Sequence, residues 1–168
     1  MTATVEVTSD IADDEAQPAA ATVTRWCQAA LVVAADKQKT IPEHIEISIR
    51  VVTETESATL NAQYRNKPNP TNVLSFPSDL PASVSALLDC YPLGDLVICQ
   101  AVIQREADEQ NKPLMDHWAH MVVHGVLHLL GLDHQNDSDA EHMETMEVNI
   151  LKSLDIADPY ENRSISST

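Results

Sequence analysis

Residues 111–134 read NKPLMDHWAHMVVHGVLHLLGLDH, and the second half of the fold is decided here. Pro113 suits the first turn of a helix, Asp116 complements the positive end of its dipole, and Gly131 suits the αL residue that ends it. The spacing predicts a helix over 113–130. On a wheel of about 100° per residue, His117, His120, His124 and His128 fall within a stripe about 80° wide. Core packing alone rarely places four imidazoles on one stripe.

Residues i and i+4 on a helix have Cβ atoms about 5–6 Å apart, so two imidazoles from such positions can converge on one ion at about 2.0–2.1 Å. His120 and His128 are separated by about 12 Å of helical rise and cannot share an ion. The pair is therefore His120/His124 or His124/His128. Gly131 favours the second, because a chain turning just past His128 carries Leu132-Asp133-His134 back towards that end. His124, His128 and His134 are the expected ligands. Three nitrogens with a fourth position left to water is the layout of a catalytic zinc site. His117 and His120 read as packing or groove residues, and His142 as plain surface.

Two of the three glycines of the chain, Gly125 and Gly131, lie in this segment. A glycine inside a helix costs about 1 kcal/mol relative to alanine. Gly125 lets substrate or backbone approach the metal, marks a tight helix–sheet contact, or does both. In the metalloprotease pattern H-E-x-x-H the glutamate is the general base. Here position 125 is glycine, so that base is absent, and Asp133 is better placed to orient a ligand histidine. The helix is zincin-like while the chemistry need not be.

Outward from this segment, His44–Val52 alternates Ile45, Ile47, Ile49 and Val51 against polar partners, a half-buried strand. Residues 3–7 alternate as a short strand, and 9–20 read as an acidic, flexible connector. Helical spacing of Val23, Trp26, Cys27, Ala30, Leu31 and Ala34 predicts a helix over 19–35. Thr53 with Glu56 three residues on is a capping-box pattern opening a helix that runs to about Arg65. Strands follow at 73–76, ended by Pro77, and at 94–99, then helices near 100–110 and 138–153. Strands first and helices after make the chain α+β, with one mixed β-sheet, helices mainly on one face, and a metal-binding helix followed by a turn carrying the third ligand. Residues 1–157 are expected to form one metallohydrolase domain, and 158–168 a frayed tail.

With 168 residues, 43% of them hydrophobic, the chain can bury a core. No apolar run approaches the roughly 20 residues of a membrane span, and the N-terminus lacks the basic start and apolar stretch of a secretion signal. Ten Lys and Arg against 26 Asp and Glu give −16. Such a charge repels nucleic acid at long range, so any nucleic-acid role needs a local basic site. Residues 37–67 carry five bases and four acids, whereas 134–168 carry eight acids and two bases. The three cysteines, Cys27, Cys90 and Cys99, form no C-x-x-C pair and read as free thiols in a reducing cytoplasm.

The string His124-Gly-Val-Leu-His128-Leu-Leu-Gly131-Leu-Asp133-His134 resembles the H-G-x-L-H-L-x-G-x-D-H signature of the YbeY family, bacterial metal-dependent endoribonucleases and ribosomal RNA maturation factors. Leu60-Asn61 with Tyr64-Arg65, Thr71-Asn-Val-Leu-Ser-Phe-Pro77 and Leu93-Gly-Asp-Leu-Val-Ile98 are similar to further blocks of the family. The likeness spans roughly residues 40–155. It departs at Asn72, where aspartate is usual, and at Leu132, where an aromatic or histidine is common.

The resemblance implies one zinc ion on His124, His128 and His134, and single-strand-specific cleavage of RNA in 16S rRNA 3′-end maturation and ribosome quality control. It maps the family's key arginine onto Arg65, whose guanidinium can grip a phosphate through two parallel hydrogen bonds. The implied partner is ribosomal RNA, in the cytoplasm and away from membranes. The −16 charge points either to weak hold on naked RNA or to targeting through protein partners such as small-subunit proteins or an assembly GTPase. The rival reading is a non-enzymatic, zinc-stabilised ribosome assembly factor. A peptidase is disfavoured by the missing glutamate at position 125.

Overall fold

Alternation in 44–52 sets the geometry of the sheet. The computed structural model describes residues 2–12, 16–37, 42–85, 87–132 and 136–161. In chain order the elements are β1 (Thr2–Ser9), α1 (Ala20–Lys37), β2 (His44–Val52), α2 (Glu54–Arg65), β3 (Val73–Pro77), α3 (Ala82–Ser85), β4 (Tyr91–Cys99), α4 (Gln100–Glu109), α5 (Leu114–Leu129) and α6 (Asp137–Ser153). The strands form one mixed sheet in the order β1-β2-β4-β3. The first two pairings are parallel, and β3 runs antiparallel to β4.

Ile45, Ile47, Ile49 and Val51 are buried against a core shared with α1, α5 and α6. Their polar alternates Glu46, Ser48 and Arg50 face away. At the β4–β3 end of that second face, Val52, Leu74 and Val97 form a small separate cluster with Leu60 of α2 and Phe76. The fold is therefore α+β, with helices mainly on one face and α2 covering part of the other. No described helix is long and apolar enough to cross a membrane.

Three boundaries differ from the sequence reading, each for a tertiary reason. β1 extends to Thr2 and Ser9 because it pairs with β2 along its full length. β4 begins at Tyr91 rather than Gly94: Tyr91 and Pro92 pair with Ile45 and Glu46 of β2, and Leu93 is the extra residue at the register shift between Glu46 and Ile47. The short α3 replaces an expected loop.

Within 9–20, Asp10 takes the Arg50 guanidinium at 2.8 Å, and Ile11 packs against the core. The Gln17 amide donates to Gln100 at 2.7 Å, and the Ala16 carbonyl accepts the Trp118 indole N–H at 3.1 Å. Asp13, Asp14 and Glu15 lie outside the described residues. At the other end, Tyr160 reaches back to α5 and α6, while 162–168 also lie outside the description.

Candidate metal centre

Helix α5 is packed by α1, α4, α6, β3 and β4, so its histidine stripe is carried into the interior. His117 and His120 are buried, while His124 and His128 are only part-covered. Gly125 accounts for the close seating: a Cβ there would lie 2.8 Å from Leu96 Cδ2 and 3.3 Å from Val73 Cγ2. Of its two readings, the tight helix–sheet contact is the one these distances bear out. Its carbonyl also accepts the Ser75 hydroxyl at 3.2 Å, tying α5 to β3.

The helix ends as its glycine requires. Gly131 has φ +94°, its N–H donates to the His128 carbonyl at 3.0 Å, and the Leu132 N–H donates to Leu127 at 3.0 Å. This pair of bonds is a Schellman termination, and it turns the chain immediately after His128. Asp133 and His134 lie outside the described residues, so the expected third ligand is not placed. Among the described residues, no group of three His, Cys, Asp or Glu side chains is positioned to hold a metal.

The first two expected ligands do meet. His124 Nε2 and His128 Nε2 are 3.1 Å apart. Two nitrogens bound at about 2.0–2.1 Å with a tetrahedral angle between them would be separated by about 3.3 Å. The pair therefore suits a single zinc-sized ion. His124 Nδ1 lies 2.6 Å from Glu147 Oε1, so its proton is donated to the carboxylate and the Nε2 lone pair is left for a metal.

Glu147, on α6, is 1% exposed and is the main residue that sequence reasoning missed. It also accepts from His120 Nε2 at 2.8 Å and from the Tyr160 hydroxyl. Burial works to raise its pKa, but the hydrogen bonds from His120 and His124 outweigh that and hold the carboxyl down at about 2. Burial pushes His120 the other way, below the usual histidine range, against the pull of Glu147. The available signal was a charged residue standing among Met143, Met146, Ile150 and Leu151, on the apolar face of α6.

A second polar group adjoins the first. Glu106 Oε1 lies 2.9 Å from His117 Nε2 and accepts the Asn72 amide at 3.1 Å. Burial tends to raise the Glu106 pKa, but these bonds lower it below the ordinary carboxylate value. Asn72 Oδ1 in turn accepts the Val73 N–H at 2.7 Å. Where the sequence left the role of Asn72 open, the structure gives it a defined one, holding Glu106 and the start of β3.

Arg65 stands at the end of α2. The turn that follows is stapled to that helix by buried side chains: Asn61 donates to the Asn69 carbonyl at 2.7 Å, and the Ser57 hydroxyl accepts the Thr71 N–H at 3.0 Å. These bonds bring Arg65 to a cleft of about 660 Å³ that it lines together with Tyr64, Asn72, Ser75, His124 and His128. The arginine and the two histidines thus share one cavity, although they come from opposite sides of the sheet's β3 edge.

A family model described as Endoribonuclease YbeY matches residues 9–155. The chain is similar to an Endoribonuclease YbeY of Nitrosococcus oceani, 53% identical over 145 residues covering 86% of this chain and 89% of that one. It is similar also to one of Acinetobacter baumannii, 58% identical over 120 residues covering 71% and 76%. A protein of Thermotoga maritima solved in solution shares the fold, with TM-score 0.52 and 21% identity across 90% of this chain and 91% of the other. With this match over most of its length, the chain belongs to the YbeY endoribonuclease family.

Proposed function

We propose that this chain is a zinc-dependent endoribonuclease that cuts single-stranded RNA, with His124, His128 and His134 as metal ligands and Arg65 as the catalytic phosphate clamp. Family membership makes it a hydrolase of RNA phosphodiester bonds acting in 16S rRNA 3′-end maturation and ribosome quality control. Its setting is the cytoplasm, with single-stranded ribosomal RNA as substrate and small-subunit proteins and an assembly GTPase as partners. Residues 1–157 act as one metallohydrolase domain, its zincin-like helix followed by the turn that carries His134.

When bound, the zinc supplies Lewis-acid chemistry for the phosphodiester. The protein's own groups do the rest. Glu147 keeps the His124 proton on Nδ1 and fixes the ring against α6. His128 is held a turn away by the same helix, which terminates at Gly131 just beyond it. Arg65, exposed at the rim, offers two parallel N–H groups to a phosphate and offsets charge that develops on its oxygens.

The observation that carries this reading is the Nε2–Nε2 separation of 3.1 Å on the wall of the cleft that Arg65 also lines. The test is elemental analysis of the purified full chain alongside cleavage of an rRNA precursor. Wild type should hold one equivalent of zinc and cut. His124→Ala should lose both metal and cleavage, whereas Arg65→Ala should keep the metal and lose cleavage. An Arg65→Ala protein that cuts like wild type, or a wild type that cuts without metal, overturns the proposal.

A further inference from the structure

The chain carries −16 and so lacks the broad electrostatic attraction that usually dominates affinity for RNA. Some other contact must hold a strand in the cleft. Aromatic residues make up only 4% of the sequence, yet two of them, Tyr64 and Phe76, line this one cavity. Phe76 is seated on the cluster of Val52, Leu74 and Val97. Tyr64 packs against it edge to face, with ring centroids 5.0 Å apart and planes at 71°. With that contact made, Tyr64 still remains 65% exposed.

Isolated apolar residues on a surface need no explanation. This one differs because an exposed aromatic ring, packed edge to face on Phe76, stands next to Arg65 and shares the cleft with His124 and His128. We propose that Tyr64 is a stacking platform for one unpaired base of single-stranded RNA, next to the phosphate that Arg65 grips. The inference rests on the nuclease reading of the cleft and adds the residue that selects single strands. Each base in a duplex has both faces covered by its neighbours, so only a splayed base can lie on the ring. Stacking is also insensitive to salt compared with phosphate contacts, which suits a protein of this charge.

The test uses the zinc-loaded full chain and short single-stranded RNAs in which 2-aminopurine is moved one position at a time. Fluorescence is read by stopped flow before turnover, and cleavage is followed on unlabelled RNA. Wild type should quench the probe at one position. Tyr64→Ala should abolish that quench and raise KM roughly 5- to 150-fold, the range base–aromatic stacking spans, with kcat little changed. Tyr64→Phe should restore both, because the face and not the hydroxyl matters. Tyr64→Leu keeps an apolar contact on Phe76 without an aromatic face, and should behave as the alanine variant does. The dependence of KM on salt should be the same in Tyr64→Ala as in wild type. An abasic residue at the quenched position should remove the difference between the two proteins.

A Tyr64→Ala protein that quenches and cleaves like wild type overturns the platform while leaving the nuclease reading intact. A Tyr64→Phe protein as impaired as Tyr64→Ala overturns it too. A wild type that quenches through Tyr64 but never cuts RNA supports the platform and sinks the nuclease reading instead.

Discussion

At the residue scale, Glu147 reaches His124 from 23 residues away on α6, a pairing that arises only after packing and that the local spacing of the histidines on one helix does not contain. A carboxylate accepting the far N–H of a ligand histidine raises the basicity of that ligand and fixes its ring. Glu147→Gln keeps the shape and an acceptor but removes the charge. Zinc affinity in this variant should fall by roughly 10- to 100-fold, measured by competition with a chromophoric chelator. Affinity equal to wild type would show that Glu147 does not act through His124.

Asn72 offers the opposite experiment, adding a charge. In the native chain, Glu106 is held ionised by Asn72 and His117, with its pKa lowered. A lowered folded-state value contributes stability above the unfolded carboxylate pKa, and that stability is lost as pH falls through the folded value. Asn72→Asp sets a second carboxylate against Glu106 Oε1, where an amide now donates at 3.1 Å. Two such groups cannot both ionise freely, so one pKa rises. The sign then reverses: the variant should match wild type best in mild acid and lose ground as pH climbs towards neutrality. Denaturant midpoints across pH 4–8 decide it, and parallel curves for the two proteins refute the account.

At the element scale, β2, α2 and α5 were legible because each announces itself locally. The Thr53 hydroxyl accepts the Glu56 N–H at 3.2 Å, as the cap pattern foretold. The full extents of β1 and β4 were not legible, because Thr2, Ser9 and Pro92 join strands only through their neighbours' registers. The termination of α5 lies between these cases. Its glycine was readable, and its positive φ and the bonds it closes show what position 131 has to hold. Nothing lies within 4 Å of where a Cβ would stand at Gly131, so alanine meets no clash there, only the backbone strain of φ +94°. Gly131→Ala should therefore lower unfolding free energy by about 1–2 kcal/mol. Gly131→Asn should lose less, since asparagine tolerates the left-handed region better. Equal stability in all three proteins would mean the turn is not held as described.

At the scale of the whole molecule, the question is whether the metal holds the fold or the fold holds the metal. Small zinc modules unfold without their ion because little else orders them. Here α1, α5, α6 and the inner face of the sheet share one continuous buried core, from Val23 and Leu31 through Ile47 and Leu96 to Met143 and Leu151. The imidazole pair lies at the edge of that core and is only part-covered. Chelation should then abolish RNA cleavage while leaving the far-UV circular dichroism spectrum intact. The free energy of unfolding should fall only by the linkage amount, about 4 kcal/mol for free zinc at a thousand times its dissociation constant. Restoring zinc should recover activity without a refolding phase. Collapse of the spectrum on chelation would reverse the order of dependence, making the ion a staple and recovering the case for a non-enzymatic assembly factor. The continuity of the core argues against that outcome, because α5 and α6, which carry His124, His128 and Glu147, are already anchored by its apolar contacts.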